Sequence, residues 1–425
     1  METKLKLYNS RSGAVEVFEP KGDPVTMYVC GITPYDTTHL GHIFTYASAD
    51  VLIRFLRYQG FRVKYVQNLT DIDDPILREA KKQNEDWKEL GNRWTIRFIE
   101  DMRLLNVKAP DIFPRATDVI SGIIAITKKL LKNGCAYQAE GNVYFEIRKW
   151  KDFGKMSGIP REQMLSVANQ RGNHPDDPNK RDPLDFPLWQ AQQAGEPAWE
   201  SPWGPGRPGW HIECSTMSSQ FLGDTIDIHG GGSDLIFPHH EGEIAQSECA
   251  TGRHPFVRYW FHTAMVHYRG KKISKSLGNL IMVRDVLKNC SPDGLRLYLA
   301  NHKYRDKWEY NEAELADAER MLEKWKKALF VTGGPRTAAA LEAENQRTAF
   351  LEALANDLNT PLAVRELDKL AERVLSANER RENLKNAQRI LAEMTVLLGL
   401  HLDSPEAEND VLAGWDDHLR KFQKQ

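Results

Sequence analysis

Near its N-terminus the chain spells out a strand, a helix and a second strand, and that order restricts how the two strands can pair. Residues 26–31 (TMYVCG) are short and apolar, as a buried strand is, and Gly31 is expected to end them. After a polar turn, residues 42–59 (HIFTYASADVLIRFLRYQ) place apolar side chains at helical spacing, and Gly60 closes the run. Residues 62–67 (RVKYVQ) are β-branched and aromatic, which predicts a second strand. Strands joined through a helix cannot form a hairpin. They must cross over, which gives a parallel sheet with helices packed on its faces.

The rest of the chain extends this plan. Residues 75–135 are mostly helical in pattern. Between residues 158 and 209 the texture turns rich in Pro, Gly and Asp, which reads as a loop-rich insertion between two halves of a sheet domain. Strand-like pieces return at 225–229 (TIDIH) and 257–262 (VRYWFH). From about residue 312 the chain is Ala-, Leu-, Glu- and Lys-rich with helical periodicity, broken at 333–335 and near 403–405; this predicts a C-terminal bundle.

Composition excludes several classes of function. Of 425 residues 41% are hydrophobic and 27% charged, an ordinary globular balance with ample aromatic core material. No apolar run approaches the roughly 18 residues of a membrane span, and METKLKLYNS has no apolar leader core, so a cytoplasmic, membrane-free protein is expected. A net charge of −2 excludes a globally basic nucleic-acid binder, though not a local basic face. Five cysteines cannot form a disulfide scaffold, and the odd count fits reduced thiols; Cys135, Cys249 and Cys290 carry no motif and are expected to be structural.

Three strings carry chemistry. His39-Leu40-Gly41-His42 lies between the first strand and the first helix, where free N–H groups and the helix dipole attract phosphate. Lys272-Ile273-Ser274-Lys275-Ser276 is flanked by Gly270 and Gly278, and suits a mobile loop that neutralises charge on a polyphosphate. Cys30, Cys214 (in WHIEC) and His239 with Glu243 (in HHEGE) offer thiolate, imidazole and carboxylate. A closed set of this kind suits zinc, and His239 and Glu243 at i, i+4 share a helix face. On spacing alone, zinc ligands and buried thiols both remain open for the two cysteines.

The histidine and lysine strings, in this order after a βαβ unit, resemble the H-I-G-H and K-M-S-K-S patterns of class I aminoacyl-tRNA synthetases, with Leu40 and Ile273 as departures. MYVCGITPYD, VQNLTDIDD, KRDPLDFPLW, SPWGPGRPGWHIECS and DIHGGGSDLIFPHHE are similar to cysteine–tRNA ligases over about residues 20–310. They resemble equally the cysteine:glucosaminyl-inositol ligase of mycothiol synthesis. The resemblance implies an α/β fold: a Rossmann-type parallel-sheet catalytic domain with an inserted connective region, then an α-helical C-terminal bundle. The expected divisions are 1–115 and 205–265 for the two catalytic halves and 116–204 for the insertion. Residues 266–310 would form the lysine-loop and stem-contact region, and 311–425 the helical domain.

It also implies an ATP-dependent, AMP-forming ligase of protein biosynthesis that converts L-cysteine into cysteinyl-adenylate. In that family Cys30, Cys214, His239 and Glu243 correspond to ligands of one zinc ion per chain, which the substrate thiolate joins. His39, His42, Lys272 and Lys275 would be catalytic. Those four, with Gly41, Gly230, Gly231, Gly232 and Asp234, would bind ATP, accompanied by Mg²⁺. Thr70, Trp210 and His229 would line the amino-acid pocket.

The two relatives diverge at the acceptor. Glu243 favours tRNA(Cys), because mycothiol ligases usually lack that fourth ligand. Gln170-Arg171-Gly172-Asn173-His174-Pro175 partly matches their E-R-G-G-D-P and favours glucosaminyl-inositol. The tail from 311 carries 16 Lys and Arg against 21 Asp and Glu, so a contact centred on the acceptor end is expected, aided by Lys180, Arg181 and the lysine loop. A monomeric tRNA ligase is the leading expectation. An inactive paralogue serving as a binding module is opposed by the intact histidine pair, lysine loop and ligand set.

Overall fold

A computed structural model of the chain describes residues 4–36, 38–273, 278–402 and 405–423. A hairpin of β1 (Lys6–Asn9) and β2 (Ala14–Val17) precedes β3 (Val25–Ile32), α1 (Leu40–Tyr58) and β4 (Val63–Leu69). Helices α2 (Asp74–Gln83), α3 (Trp87–Leu104) and α4 (Ile120–Lys132) follow. An inserted module then holds β5 (Ala136–Ala139), β6 (Asn142–Phe145), α5 (Arg161–Asn169), β7 (Phe186–Ala191) and β8 (Gly206–Pro208). The chain returns through α6 (Trp210–Leu222), β9 (Ile226–Gly232), α7 (Glu241–Thr251) and β10 (Val257–Thr263).

Strands β10, β9, β3 and β4 form one sheet in that order, every pair parallel. The expected βαβ unit is therefore present. Gly31 does not end the strand, however. Pairing resumes at Ile32 after an irregularity, and a Cβ on Gly31 would sit 1.6 Å from the Asn68 carbonyl oxygen. The residue is glycine because β4 passes close by, not because the strand stops. The chain order reverses between β3 and β9, so the ligand crevice of an open α/β sheet belongs at the carboxyl ends of these two strands. Cys30 and His229 both lie there.

The Pro- and Gly-rich stretch is more ordered than its texture suggests. Its strands make an antiparallel sheet, β5-β6-β7-β8, with Trp189 and Phe186 buried beneath it. Pro208 sits in β8, an edge strand of only three residues, and Pro187 of the inner β7 falls where its register with β6 shifts. The expectation of reduced cysteines fails at one pair: Cys135, just before β5, is disulfide-bonded to Cys249 in α7, 114 residues away. Sequence spacing carries no trace of that proximity, which the packing of α4 against α7 creates. Cys30, Cys214 and Cys290 are free thiols.

Beyond the sheet, β11 (Val266–Tyr268), β12 (Lys271–Lys272) and β13 (Trp308–Glu309) form a small sheet, with α8 (Val283–Val286) and α9 (Pro292–Ala300) between. Helices α10 (Glu312–Phe330), α11 (Glu344–Ala355), α12 (Thr360–Glu379), α13 (Lys385–Leu397) and α14 (Pro405–Gln423) give the expected helical tail. None of the described helices is long and apolar enough to cross a membrane.

A buried ion pair joins α9 to α1, and its arginine also reaches a carbonyl of the tail. Arg296 of α9 donates to Asp50 of α1 at 2.6 Å, and to the carbonyls of Leu398 and Leu105. Despite burial, Arg54 and Arg296 hold the Asp50 carboxyl below its usual range. Truncation would leave Asp50 paired with Arg54 alone and take the Arg296 donor from the buried Leu398 and Leu105 carbonyls, so Arg296→Ala should cost about 1–3 kcal/mol in urea unfolding. A variant as stable as the unaltered chain would contradict this role.

Candidate active site

Four buried side chains converge at the strand ends. Cys30 comes from β3, Cys214 from the first turns of α6, His239 from the bend before α7, and Glu243 from α7 itself. Their ligand atoms all lie within 4.8 Å of one another. Cys30 Sγ is 4.0 Å from Cys214 Sγ and 3.8 Å from Glu243 Oε1, which in turn is 3.1 Å from His239 Nε2. His239 Nδ1 faces His211 Nδ1 at 2.9 Å, leaving Nε2 for the cluster, and the Trp210 ring stacks on His239 at 4.3 Å.

These donors fit a metal ion. Burial pushes the Cys30 thiol well above its usual range, and Cys214 beside it adds to the rise. Burial also raises Cys214, but the Cys30 thiol and His239 outweigh it and bring it to about 7. Burial alone drives the Glu243 carboxyl up, and its Oε2 has no hydrogen-bond partner among the described residues. A carboxylate and two thiols packed out of water are costly to ionise together, unless a cation sits among them. The cluster can hold a metal.

Sequence reasoning missed part of this surround. His240 Nε2 lies 3.3 Å from Cys30 Sγ, and with His229, Cys30 and Glu243 it forms a second possible donor set. His240 Nδ1 meets His262 Nε2 at 2.7 Å. The only available signal was the doubled histidine in HHEGE. His229, expected beside the aminoacyl group, is 3.5 Å from Cys30. Thr70 is buried at the end of β4, where its Oγ1 accepts from Asn68 Nδ2.

The histidine string caps α1. His39 is the N-cap residue, its Nδ1 accepts from the His42 N–H at 3.3 Å, and the two rings stack at 3.6 Å. The first turn of α1 contains no acidic residue, so its positive end is uncompensated. Burial lowers the His39 pKa to about 4, and lowers His42 well below its usual value with His39 contributing. Both are therefore neutral donors at physiological pH. A folded state that binds fewer protons than the unfolded chain gains stability as pH rises. An NMR titration should place His39 near 4, and His39→Gln should flatten the stability slope between about pH 4 and 6.5. A titration near 6.5 would contradict it.

Gly230, Gly231 and Gly232 close β9, and Asp234 lies in the short turn that follows. A Cβ on Gly232 would approach Asp234 Oδ1 to 2.5 Å, a contact that rotation of the Asp234 side chain relieves. Lys272 is exposed in β12, while Lys275 lies outside the described residues. The segment after the lysine loop is nonetheless stitched to the histidine string. Leu40 N–H donates to Ile281 O at 2.9 Å, and Val283 N–H to Thr38 O at 3.0 Å. Residues 281–283 are therefore neighbours of the histidine string.

Beside the cluster a cleft of about 950 Å³ is lined by Tyr35, Asp73, Arg78, Arg171, Lys180 and Trp210. Lys180 Nζ donates to Asn173 Oδ1 in its wall. Arg181, expected with it, stacks on Tyr137 and pairs with Glu146 at 3.1 Å.

The chain matches tRNA synthetases class I (C) catalytic domain across residues 17–320, and the DALR domain across 349–403. It is 44% identical over 399 residues to an L-cysteine:1D-myo-inositol 2-amino-2-deoxy-alpha-D-glucopyranoside ligase of Thermomonospora curvata, covering 94% of each chain. It is 41% identical over 406 residues to a cysteine–tRNA ligase of Dehalococcoides mccartyi, covering 95% of this chain and 88% of the other. In fold it is similar to Mycobacterium tuberculosis methionyl-tRNA synthetase in complex with methionyl-adenylate, at TM-score 0.65 and 15% identity over 92% of this chain and 93% of that one.

Proposed function

Because the chain belongs to the class I (C) tRNA synthetases, we propose that it activates L-cysteine with ATP and transfers it to tRNA(Cys). The observation that carries this reading is the buried Cys30–Cys214–His239–Glu243 cluster beneath Trp210, at the sheet's switch point. Zinc is the cation we assign there, because two sulfurs, an imidazole and a carboxylate suit it. Bound zinc supplies a thiophilic centre that favours sulfur over the hydroxyl of serine. Trp210 and Thr70 bound the pocket that receives the cysteine side chain.

The chain's own residues serve the adenylation step. Gly230–Gly232 and Asp234 hold adenosine, the glycines by close backbone approach and the carboxylate through ribose hydroxyls. His39, His42 and the N-terminus of α1 donate to the phosphates, with Mg²⁺ accompanying ATP. The cysteine carboxylate attacks the α-phosphorus, the bond to the bridging oxygen breaks, and pyrophosphate leaves. Lys272 and Lys275 stabilise the charge that develops on it. An acceptor hydroxyl then attacks the adenylate's carbonyl and AMP departs. We assign 1–115 and 205–265 to this catalytic unit, 116–204 to the insertion, 266–310 to the lysine-loop region and 311–425 to the helical domain.

A second reading has specific support: transfer to the amine of glucosaminyl-inositol. The Thermomonospora curvata relative spans 94% of both chains, and Arg171, Gly172, Asn173 and His174 line the cleft beside Trp210. Purified chain with ATP and labelled cysteine, offered a tRNA transcript or glucosaminyl-inositol, separates the two. Esterified tRNA is expected. Amide product from the amino sugar alone would install the second reading.

A further inference from the structure

The bend that carries the adenosine and metal residues does not hold its own shape. Between Asp234 and His239 the backbone runs through two short turns, and Phe237 breaks the helical pattern at φ −132°, ψ 134°. Carbonyls in such irregular backbone lose their helical partners and need donors from elsewhere. The inserted module supplies them. Arg171 Nη1 donates to both the Asp234 and the Phe237 carbonyl oxygens, across 63 and 66 residues of sequence.

Arg171 is itself braced. It follows the last turn of α5, its N–H donates to Ala168 O at 2.8 Å, and Met164 and Ala168 bury that helix against the module's core. Two further contacts from the same module grip the bend. Phe153 packs on the Phe237 ring at 5.7 Å, and Ser157 N–H donates to Glu241 Oε1 at 2.8 Å. The bend is therefore shaped from outside, between the residue read as binding ribose and the residues read as holding metal.

We propose that Arg171 is a positioning residue for cysteine activation, its guanidinium fixing the Asp234–Phe237 bend so that Asp234 and His239 face their separate ligands. This rests on the reading of Gly230–Asp234 as the adenosine site. Arginine suits the task because its planar fork presents several donors at fixed angles, whereas lysine offers a point charge on a flexible stem. The same residue lines the large cleft, so the wall that would meet the acceptor also sets the adenylation geometry.

Arg171→Ala and Arg171→Lys would be compared with the unaltered chain in cysteine-dependent ATP–pyrophosphate exchange, equilibrium ATP binding, metal content and thermal midpoint. A misplacement of about 1 Å lowers kcat/KM by about 100-fold. A loss of that order is expected in Arg171→Ala, with ATP binding weakened, metal retained and guanidinium ion restoring part of the rate. Arg171→Lys should stay impaired, while Arg161→Ala, from the same module, should match the unaltered chain. Exchange and ATP binding within twofold of the unaltered chain would overturn the proposal, as would a loss that guanidinium does not relieve in a folded variant. Absence of exchange in the unaltered chain would instead strike the functional reading. ATP binding tests Arg171 independently of it.

Discussion

Cys214→Ala is expected to strip the metal and abolish cysteine activation while leaving a folded chain. Cys214 is 1% exposed at the start of α6, and it is the group in the cluster held nearest to ionisation at neutral pH. Removing it leaves Cys30 and Glu243, both pushed towards their neutral forms by burial, with His239 alone to complete the set. Loss of a supporting contact already costs a metal site 10–100-fold in affinity, so loss of a ligand should exceed about 100-fold. Metal analysis should show near-empty protein, and cysteine-dependent exchange should fall in parallel. Cys290→Ala, whose thiol donates to Val286 O in α8, should keep both. Full metal content in Cys214→Ala would remove the cluster from the account.

Lys275→Ala should produce the second large loss. The residues that follow its loop are hydrogen-bonded to the histidine string, through Ile281 O with Leu40 and Val283 with Thr38. In the adenylation step proposed above, Lys275 meets charge that grows as pyrophosphate departs. An interaction that strengthens in the transition state lowers kcat more than it raises KM for ATP when removed. The expected loss is on the order of 10²–10³ in kcat, as for one preorganised electrostatic donor. A change confined to KM would mean that the lysine contributes uniform binding instead.

How much of this could be read in advance depended on the range of each interaction. The β3–α1–β4 unit was legible because its periodicities are local and switch cleanly between apolar strand and amphipathic helix. The helical tail was legible for the same reason. Gly31 was misread, since a glycine forced by a neighbouring strand's carbonyl looks the same in sequence as one that ends a strand. The inserted sheet was hidden because short strands interrupted by Pro187 and Pro208 give little alternation.

The site divides in the same way. His39 and His42 could be placed at a helix N-terminus from the chain alone. Spacing alone paired His239 with Glu243, but only resemblance to a family joined Cys30 and Cys214 to them before the sheet order did. His211, His240 and His262 act through contacts of 2.9, 3.3 and 2.7 Å, which no spacing announces. The Cys135–Cys249 bond and the reach of Arg171 are likewise products of packing between distant segments.

The most direct test of the central claim is ATP–pyrophosphate exchange by the zinc-loaded chain with single amino acids. Exchange that depends on L-cysteine, with serine inactive at the same concentration, is the predicted result. A chain that binds zinc yet shows no cysteine-dependent exchange, or that exchanges equally well with serine, would contradict it.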